Sequence, residues 1–277
     1  DVLGSRGLGD VYKRQVPEYG RSAQGIPIIN LLGIDNHEKI TAVINVSNAA
    51  DDTDKFLFFV TKQGTVKKTP VDDFRNIRSN GLKAIQLHDG DELIHVNIID
   101  GQQNMILGTR LGYAVSFNAE DVRSMGRSAA GVRGAKLREG DCVIGAAPLD
   151  SDCNVFVISE NGFGKQTPAA EYPIKGRGGK GIKTVNVTAK NGPLAGLTTV
   201  KGDEDIMLVT DKGVIIRFGI ETVSQTGRAA VGVHLIRMDD DSKVATMAKV
   251  AKEDQTDQDD DALPAEEDSA ASETENN

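Results

Sequence analysis

Tryptophan is missing altogether, aromatic residues make up only 4%, and the 277 residues include just two cysteines and four histidines. Beside 30 glycines, that shortage fits many short strands joined by turns better than a helical bundle. Cys142 and Cys153 stand eleven apart, a spacing that matches no zinc or redox motif, and each lies at or beside an apolar run. They read as reduced, half-buried thiols of a cytosolic protein. His37, His88, His95 and His234 are scattered, with no ligand spacing between any two. A nucleophile elbow, a Walker loop and a metal-ligand motif are likewise missing. The sequence therefore offers no catalytic residues and no metal site, and reads as a binding device without an active site of its own. No apolar run reaches the roughly 18 residues that a membrane-crossing helix needs, and no secretory leader is recognisable. The expectation is a soluble, cytoplasmic chain that does not engage a membrane.

The net charge of −9 is unevenly placed. From Glu253 to Asn277 there are 11 acids and no Lys or Arg; of 41 acids in all, 30 remain to face 32 bases, so the rest is about +2. A near-neutral to basic body with an acidic tail suits a protein that meets polyanions, with a tail able to compete with them. The tail from residue 253 shows no periodicity and is expected to be disordered, and a solubilising role would account for its composition equally well.

What the chain does have is a repeat. Gly20-Arg21-Ser22-Ala23-Gln24-Gly25-Ile26 returns as Gly126-Arg127-Ser128-Ala129-Ala130-Gly131-Val132, as Gly176-Arg177-Gly178-Gly179-Lys180-Gly181-Ile182 and as Gly227-Arg228-Ala229-Ala230-Val231-Gly232-Val233. A shortened form, Ile77-Arg78-Ser79-Asn80-Gly81-Leu82, fills the gap, so three of the four steps between arginines are 49, 50 and 51 residues. A fixed period of that size marks repeated supersecondary units. Four turns of the form Ser/Thr-x-x-Gly keep the same register, at Thr61–Gly64, Thr109–Gly112, Ser159–Gly162 and Thr210–Gly213, each after an apolar run such as Phe56-Leu57-Phe58-Phe59-Val60. An apolar, partly β-branched run ending at a glycine turn predicts a buried strand entering a hairpin.

In the unit around Gly64 the pattern predicts four strands, roughly Phe56–Thr61, Thr65–Thr69, Leu82–Leu87 and Leu93–Ile99. Four strands in about 50 residues is the size of a propeller blade, which cannot cover both faces of its sheet alone and must stack on neighbours. The expected organisation is a leader over residues 1–15 that does not carry the pattern, as from a cloning or sequencing scar. A partial unit over 16–50 follows, then repeats over about 51–100, 101–150, 151–201 and 202–252, and the tail from 253. The ring is expected to be truncated at its N-terminal end.

Glycine-rich loops with Arg and Lys can bring backbone N–H groups and cations close to phosphates, although glycines are also what tight turns at blade junctions require. The recurrence of the arginine at blade period is the stronger signal, because equivalent positions of a stacked array share one edge. The predicted DNA-binding set is Arg21, Lys67, Lys68, Arg78, Arg127, Arg133, Lys136, Lys175, Arg177, Lys180, Lys183, Arg217 and Arg228, with Arg75, Arg110, Arg123, Arg138, Lys165 and Arg237 as further bases nearby. A long curved track of charge without stacking aromatics suits the backbone of duplex DNA more than single strands.

The run from Val16 to Leu32, VPEYGRSAQGIPIINLL, resembles the C-terminal domain of the DNA gyrase A protein, as do Gly64–Thr69, Met125–Gly134 and Asn161–Pro168. The likeness covers about residues 16–252 and extends to the character of the tail. It implies an all-β β-pinwheel, a propeller-like ring of four-stranded blades that exchange strands with their neighbours and whose basic rim wraps duplex DNA. It further implies service in an ATP-dependent type II topoisomerase that introduces negative supercoils, as a heterotetramer of two gyrase A and two gyrase B polypeptides. ATP and magnesium would then belong to the gyrase B partner, with no cofactor in this chain. The family's catalytic tyrosine belongs to an N-terminal domain this sequence lacks, so Tyr12, Tyr19, Tyr113 and Tyr172 inherit no catalytic role. The family's Gln-Arg-Arg-Gly-Gly-Lys/Arg-Gly box is absent, and Gly176–Gly181 resembles it only as a degenerate copy. That departure keeps the corresponding domain of topoisomerase IV, a decatenating relative, as an alternative. A propeller scaffold for protein partners is the other alternative; it would place apolar and acidic residues, not arginines, at the recurrent positions.

Overall fold

Each Ser/Thr-x-x-Gly segment closes a hairpin in the computed structural model, which describes residues 24, 26, 41–42, 54–75, 82–238 and 241–252. The reason for the motif is local. The hydroxyl of Thr61 accepts a hydrogen bond from the N–H of Thr65 (3.1 Å), and its carbonyl accepts one from Gly64 (3.0 Å). Thr109, Ser159 and Thr210 do the same for Tyr113, Phe163 and Val214. The glycine supplies the left-handed backbone that ends the turn; Gly112 has φ +83°, a conformation other residues reach only with strain.

The hairpins thread four sheets. The first holds β1 (Phe56–Thr61), β2 (Thr65–Pro70) and β3 (Leu93–Ile99). The second holds β4 (Asn104–Thr109), β5 (Tyr113–Asn118) and β7 (Val143–Pro148), with β6 (Val132–Arg133) lying between the last two in sequence. In the third are β8 (Asn154–Ser159), β9 (Phe163–Pro168) and β11 (Leu194–Val200), with β10 (Ile182–Lys183) before β11. The fourth contains β12 (Glu204–Thr210), β13 (Ile215–Gly219) and β15 (Val244–Ala251), with β14 (Val233–His234) before β15. The two-residue strands do not join their own unit. Antiparallel pairing puts β6 beside β2, β10 beside β5 and β14 beside β9, each one sheet back along the chain. The architecture is all-β and propeller-like, with exchanged strands as expected.

This corrects the four-strand unit read from the sequence. Residues 82–87 form no strand, and in the later units the third strand shrinks to two residues and crosses to the preceding sheet. Local pattern shows that a segment is extended but not whose edge it completes. The leader, the partial unit over 16–50 apart from four residues, and the tail lie outside the described residues.

Stacking of the sheets face to face explains the unbroken apolar runs. A strand buried on both faces needs side chains for two cores. Met105 and Leu107 of β4 join Phe58, Val60 and Phe117 in the core between the first two sheets, while Ile106 points the other way to Val155, Val157 and Leu194. Phe156 and Ile158 of β8 in turn meet Ile206 and Leu208 in the third core. The strands β3, β7, β11 and β15 pack successively against one another at the inner edges of their sheets. They approach so closely that a Cβ on Gly145 would lie 2.6 Å from the carbonyl oxygen of Leu197. The exchanged strands, and the Gly-Arg loops that lead into them, occupy the opposite, outer edges.

Strand β13 is the exception. Among the described residues it pairs only with β12, and Val214 and Ile215 beside this free edge are 54% and 59% exposed. An exposed apolar edge is a template for unwanted pairing. Ile215→Lys is expected to reduce concentration-dependent aggregation, read by light scattering, with the melting temperature little changed.

Candidate nucleic-acid interface

Three Gly-Arg loops fall among the described residues, and they are built alike. Each begins where a backbone N–H docks on the neighbouring sheet: Met125 on the Lys68 carbonyl (2.8 Å), Lys175 on Ser116 (2.9 Å) and Thr226 on Gln166 (2.8 Å). Each ends at a left-handed glycine, Gly131, Gly181 or Gly232, that leads into β6, β10 or β14. The chain then passes over the turn glycine of the sheet it has joined, as where Thr184 and Val185 donate to the Gly112 carbonyl (2.9 and 3.2 Å).

The loops also lean on one another. Nε and Nη1 of Arg177 donate to the carbonyls of Asp121 (2.9 Å) and Arg133 (3.1 Å). Gly178 donates to Gly134 (2.7 Å), Lys136 to Gly179 (2.9 Å), and Arg138 Nη1 to the Lys180 carbonyl (2.7 Å). One blade on, Arg228 Nη1 reaches the Lys183 carbonyl (3.4 Å), its N–H donates to Glu171 (3.0 Å), and its Nε lies 3.8 Å from the same carboxylate. Arg177 and Arg228 therefore have a structural task that their spacing alone did not reveal: each ties its loop to the residue after the previous loop. Their charge stays at the edge, since part of each side chain remains exposed.

These contacts bring Arg133, Lys136, Lys175, Arg177, Lys180, Lys183 and Arg228 onto consecutive loops of the outer edge. All but the half-buried Arg228 are exposed, and Arg127 is half-buried on the preceding loop. Three of the expected residues are engaged within the fold. Lys67 is 0% exposed, and its Nζ donates to the carbonyls of Ala84 and Arg127 at 2.6 Å each. Lys68 is buried too, with Nζ on the Ala119 carbonyl (2.9 Å) and above the Phe56 ring. Arg217 is ion-paired with Asp205 (2.7 Å) and bound to the Ala251 carbonyl (3.0 Å), within its own sheet. Of the further bases, Lys165 repeats Lys67, fully buried with Nζ on the carbonyls of Gly227 and Arg228 (2.6 Å each), while Arg110 pairs with Glu160 (2.6 Å). The loops of the following unit close over both lysines, which a strand read by itself could not show. Arg21 and Arg78 lie outside the described residues.

Burial pushes Lys67 down to about 8 against the pull of Asp73, and Lys165 to about 8 against Glu171, with Arg228 adding to the lowering. The unfolded chain holds these protons up to about 10.5. Between about 8 and 10.5 it therefore binds more protons than the folded chain, and the contribution of these two groups to stability rises with pH across that window. A carbon-13 titration of the lysine side chains is expected to show two midpoints near 8 that vanish in the Lys67→Met and Lys165→Met variants. Midpoints near 10.5 for every lysine would contradict the buried geometry.

Burial raises the thiols of Cys142 and Cys153 above their usual value, which disfavours the thiolate. The hydroxyl of Tyr172 is buried against Thr184, and burial raises its pKa as well.

Comparison with known proteins places this geometry. The family model described as DNA gyrase C-terminal domain, beta-propeller, matches residues 14–47, 55–100, 103–150, 154–201 and 204–251. The DNA gyrase A protein of Staphylococcus epidermidis ATCC 12228 is 45% identical over 258 residues, covering 91% of this chain and 29% of the relative. The gyrase A protein of Staphylococcus aureus NCTC 8325 is 44% identical over 265 residues, covering 93% of this chain and 30% of the relative. The chain thus spans under a third of the length of these curated relatives. A solved C-terminal domain of DNA topoisomerase IV superposes with a TM-score of 0.76 at 26% identity, over 82% of this chain and 71% of that one. A solved DNA gyrase A C-terminal domain superposes with a TM-score of 0.73 at 26% identity, over 83% and 75%. With a family model matching most of its length and a fold to agree, the chain belongs to the DNA gyrase C-terminal domain family of β-propellers.

Proposed function

We propose that this chain wraps duplex DNA around its outer edge on behalf of a gyrase A protein, so that the complete ATP-dependent enzyme can introduce negative supercoils. The observation that carries the reading is the run of exposed Arg133, Lys136, Lys175, Lys180 and Lys183 on loops hydrogen-bonded into one edge. A duplex presents phosphates at regular spacing, and cations along a curved edge neutralise several of them only if the DNA bends to follow. Single strands are bound chiefly by stacking on aromatic side chains. Among the described residues the large exposed hydrophobics are all aliphatic.

In this reading Arg177 and Arg228 act twice, as loop ties and as edge charge, and Arg127 adds charge on the preceding loop. Arg21 and Arg78 extend the track on sequence grounds. ATP and magnesium belong to the gyrase B partner of a cytoplasmic heterotetramer, and strand cleavage to another part of the longer polypeptide. A second reading, the C-terminal domain of a topoisomerase IV serving decatenation, is favoured by the superposition on that domain.

The test is the salt dependence of binding to a linear duplex. Log affinity is expected to fall by about 0.9 per log unit of salt for each phosphate neutralised, hence with a slope of about −4 to −5 for five exposed cations. Binding indifferent to salt, or stronger for a single strand than for the duplex, would overturn the proposal. Removal of residues 253–277 is expected to strengthen duplex binding at low salt, because its 11 acids compete with phosphate.

A further inference from the structure

Positions 67, 115 and 165 are equivalent: each is the third residue after a turn glycine, at Gly64, Gly112 and Gly162. Two of them are lysine and the middle one is Val115. We infer that Lys67 and Lys165 are positioning residues that latch the Gly-Arg loops from beneath, and that Val115 leaves the loop Gly176–Gly181 without a latch, as the yielding contact of the edge. The second half of this inference rests on the proposed DNA reading; the first does not.

The contrast is internal to the molecule, because strand exchange is the same in all three loops and each docks through one backbone N–H on the neighbouring sheet. In the flanking loops a buried ammonium holds the Arg127 carbonyl on one side, and those of Gly227 and Arg228 on the other, at 2.6 Å. Val115 has no donor to hold the loop's carbonyls, and its methyl group meets the loop at Gly181. In its place lies a cavity of about 140 Å³, lined by Val115, Gly176, Gly179, Gly181 and Ile182.

The loop itself differs as well. Ala129 donates to Gly126 and Ala230 to Gly227, at 3.1 Å each, closing the two flanking loops. Among the described residues no such bond joins Gly179 to Gly176. Gly178 instead takes φ +76° and turns its N–H to Gly134 of the preceding blade. With glycine at 176, 178, 179 and 181, little side-chain packing restrains this segment. Beyond the docking bond of Lys175, its ties run sideways to the neighbouring loop. A segment so held, carrying Lys175, Arg177 and Lys180, can shift with the neighbouring blade when a stiff rod of charge settles across it.

Amide hydrogen exchange of the whole chain near pH 7 tests this. Gly179, Lys180 and Gly181 are expected to exchange at least tenfold faster than Ala129–Gly131 and Ala230–Gly232. Val115→Lys should bring the middle loop to the slow rate of its neighbours, and Lys165→Met should make Ala230–Gly232 fast. Similar rates in all three loops of the unaltered chain overturn the inference. So does a pair of variants that leaves every rate where it was. On adding a linear duplex, the largest slowing is expected at Gly176–Gly181. Largest slowing in a flanking loop refutes the yielding contact. The free-chain pattern without any response to duplex refutes the DNA reading and leaves the latch standing.

Discussion

Gly112→Val is expected to unfold the chain at ordinary temperature or lower its melting point by tens of degrees. The position has φ +83°, and a Cβ there would sit 2.5 Å from the carbonyl oxygen of Val185 and 2.9 Å from a methyl of Val187. The left-handed conformation alone costs a β-branched residue about 1–2 kcal/mol. The overlap is with backbone and can be relieved only by lifting the segment that crosses the turn, which breaks the bonds from Thr184 and Val185 to the Gly112 carbonyl. Leaving those two groups without partners costs about 1–3 kcal/mol each. The sum of about 3–8 kcal/mol rivals the whole stability of a domain, about 5–15 kcal/mol. Gly140→Val separates the two causes: φ is +70° there, but nothing lies within 4 Å of the added carbon. Its expected loss is only the conformational part. Thermal melts followed by far-ultraviolet circular dichroism compare the two, and equal losses would show that the crossing segment does not matter.

The triple charge reversal Lys175→Glu, Lys180→Glu, Lys183→Glu is expected to weaken duplex binding by about a hundredfold or more near 0.15 M salt and to flatten the salt slope by nearly 3. These lysines are exposed, so the fold should melt as before. The arginines are poorer choices for this test, because Arg177 and Arg228 hold their loops with side-chain hydrogen bonds. Lys165→Met supplies the opposite signature. It deletes a positive charge that the structure buries, so stability should fall while the salt slope keeps its value. A slope reduced as much by Lys165→Met as by one exposed lysine would show that the buried ammonium reaches phosphate.

The hairpins were legible residue by residue. Thr61 and Gly64 interact within one turn, so a hydroxyl and a left-handed glycine at fixed spacing suffice to mark it. The three described arginines at blade period were legible too, as a repeat, and they do share one edge. The bonds of Arg177 and Arg228 to the carbonyls of Arg133 and Lys183 were not, since those contacts join residues 44 and 45 apart on separate blades. Lys67 and Lys68 are the instructive failure. Two lysines after a turn look like surface charge, and only the loops of the next unit, at Ala119 and Arg127, make them interior groups.

By itself, then, the sequence determined the repeat, the turns, the all-β class and the family, because each is written in short-range pattern or in spacing. Tertiary structure alone decided which sheet the short third strands complete, which lysines face solvent, and which loop lies over a cavity. Those outcomes depend on what a neighbouring blade places opposite a residue, and one blade's residues do not encode their neighbour's.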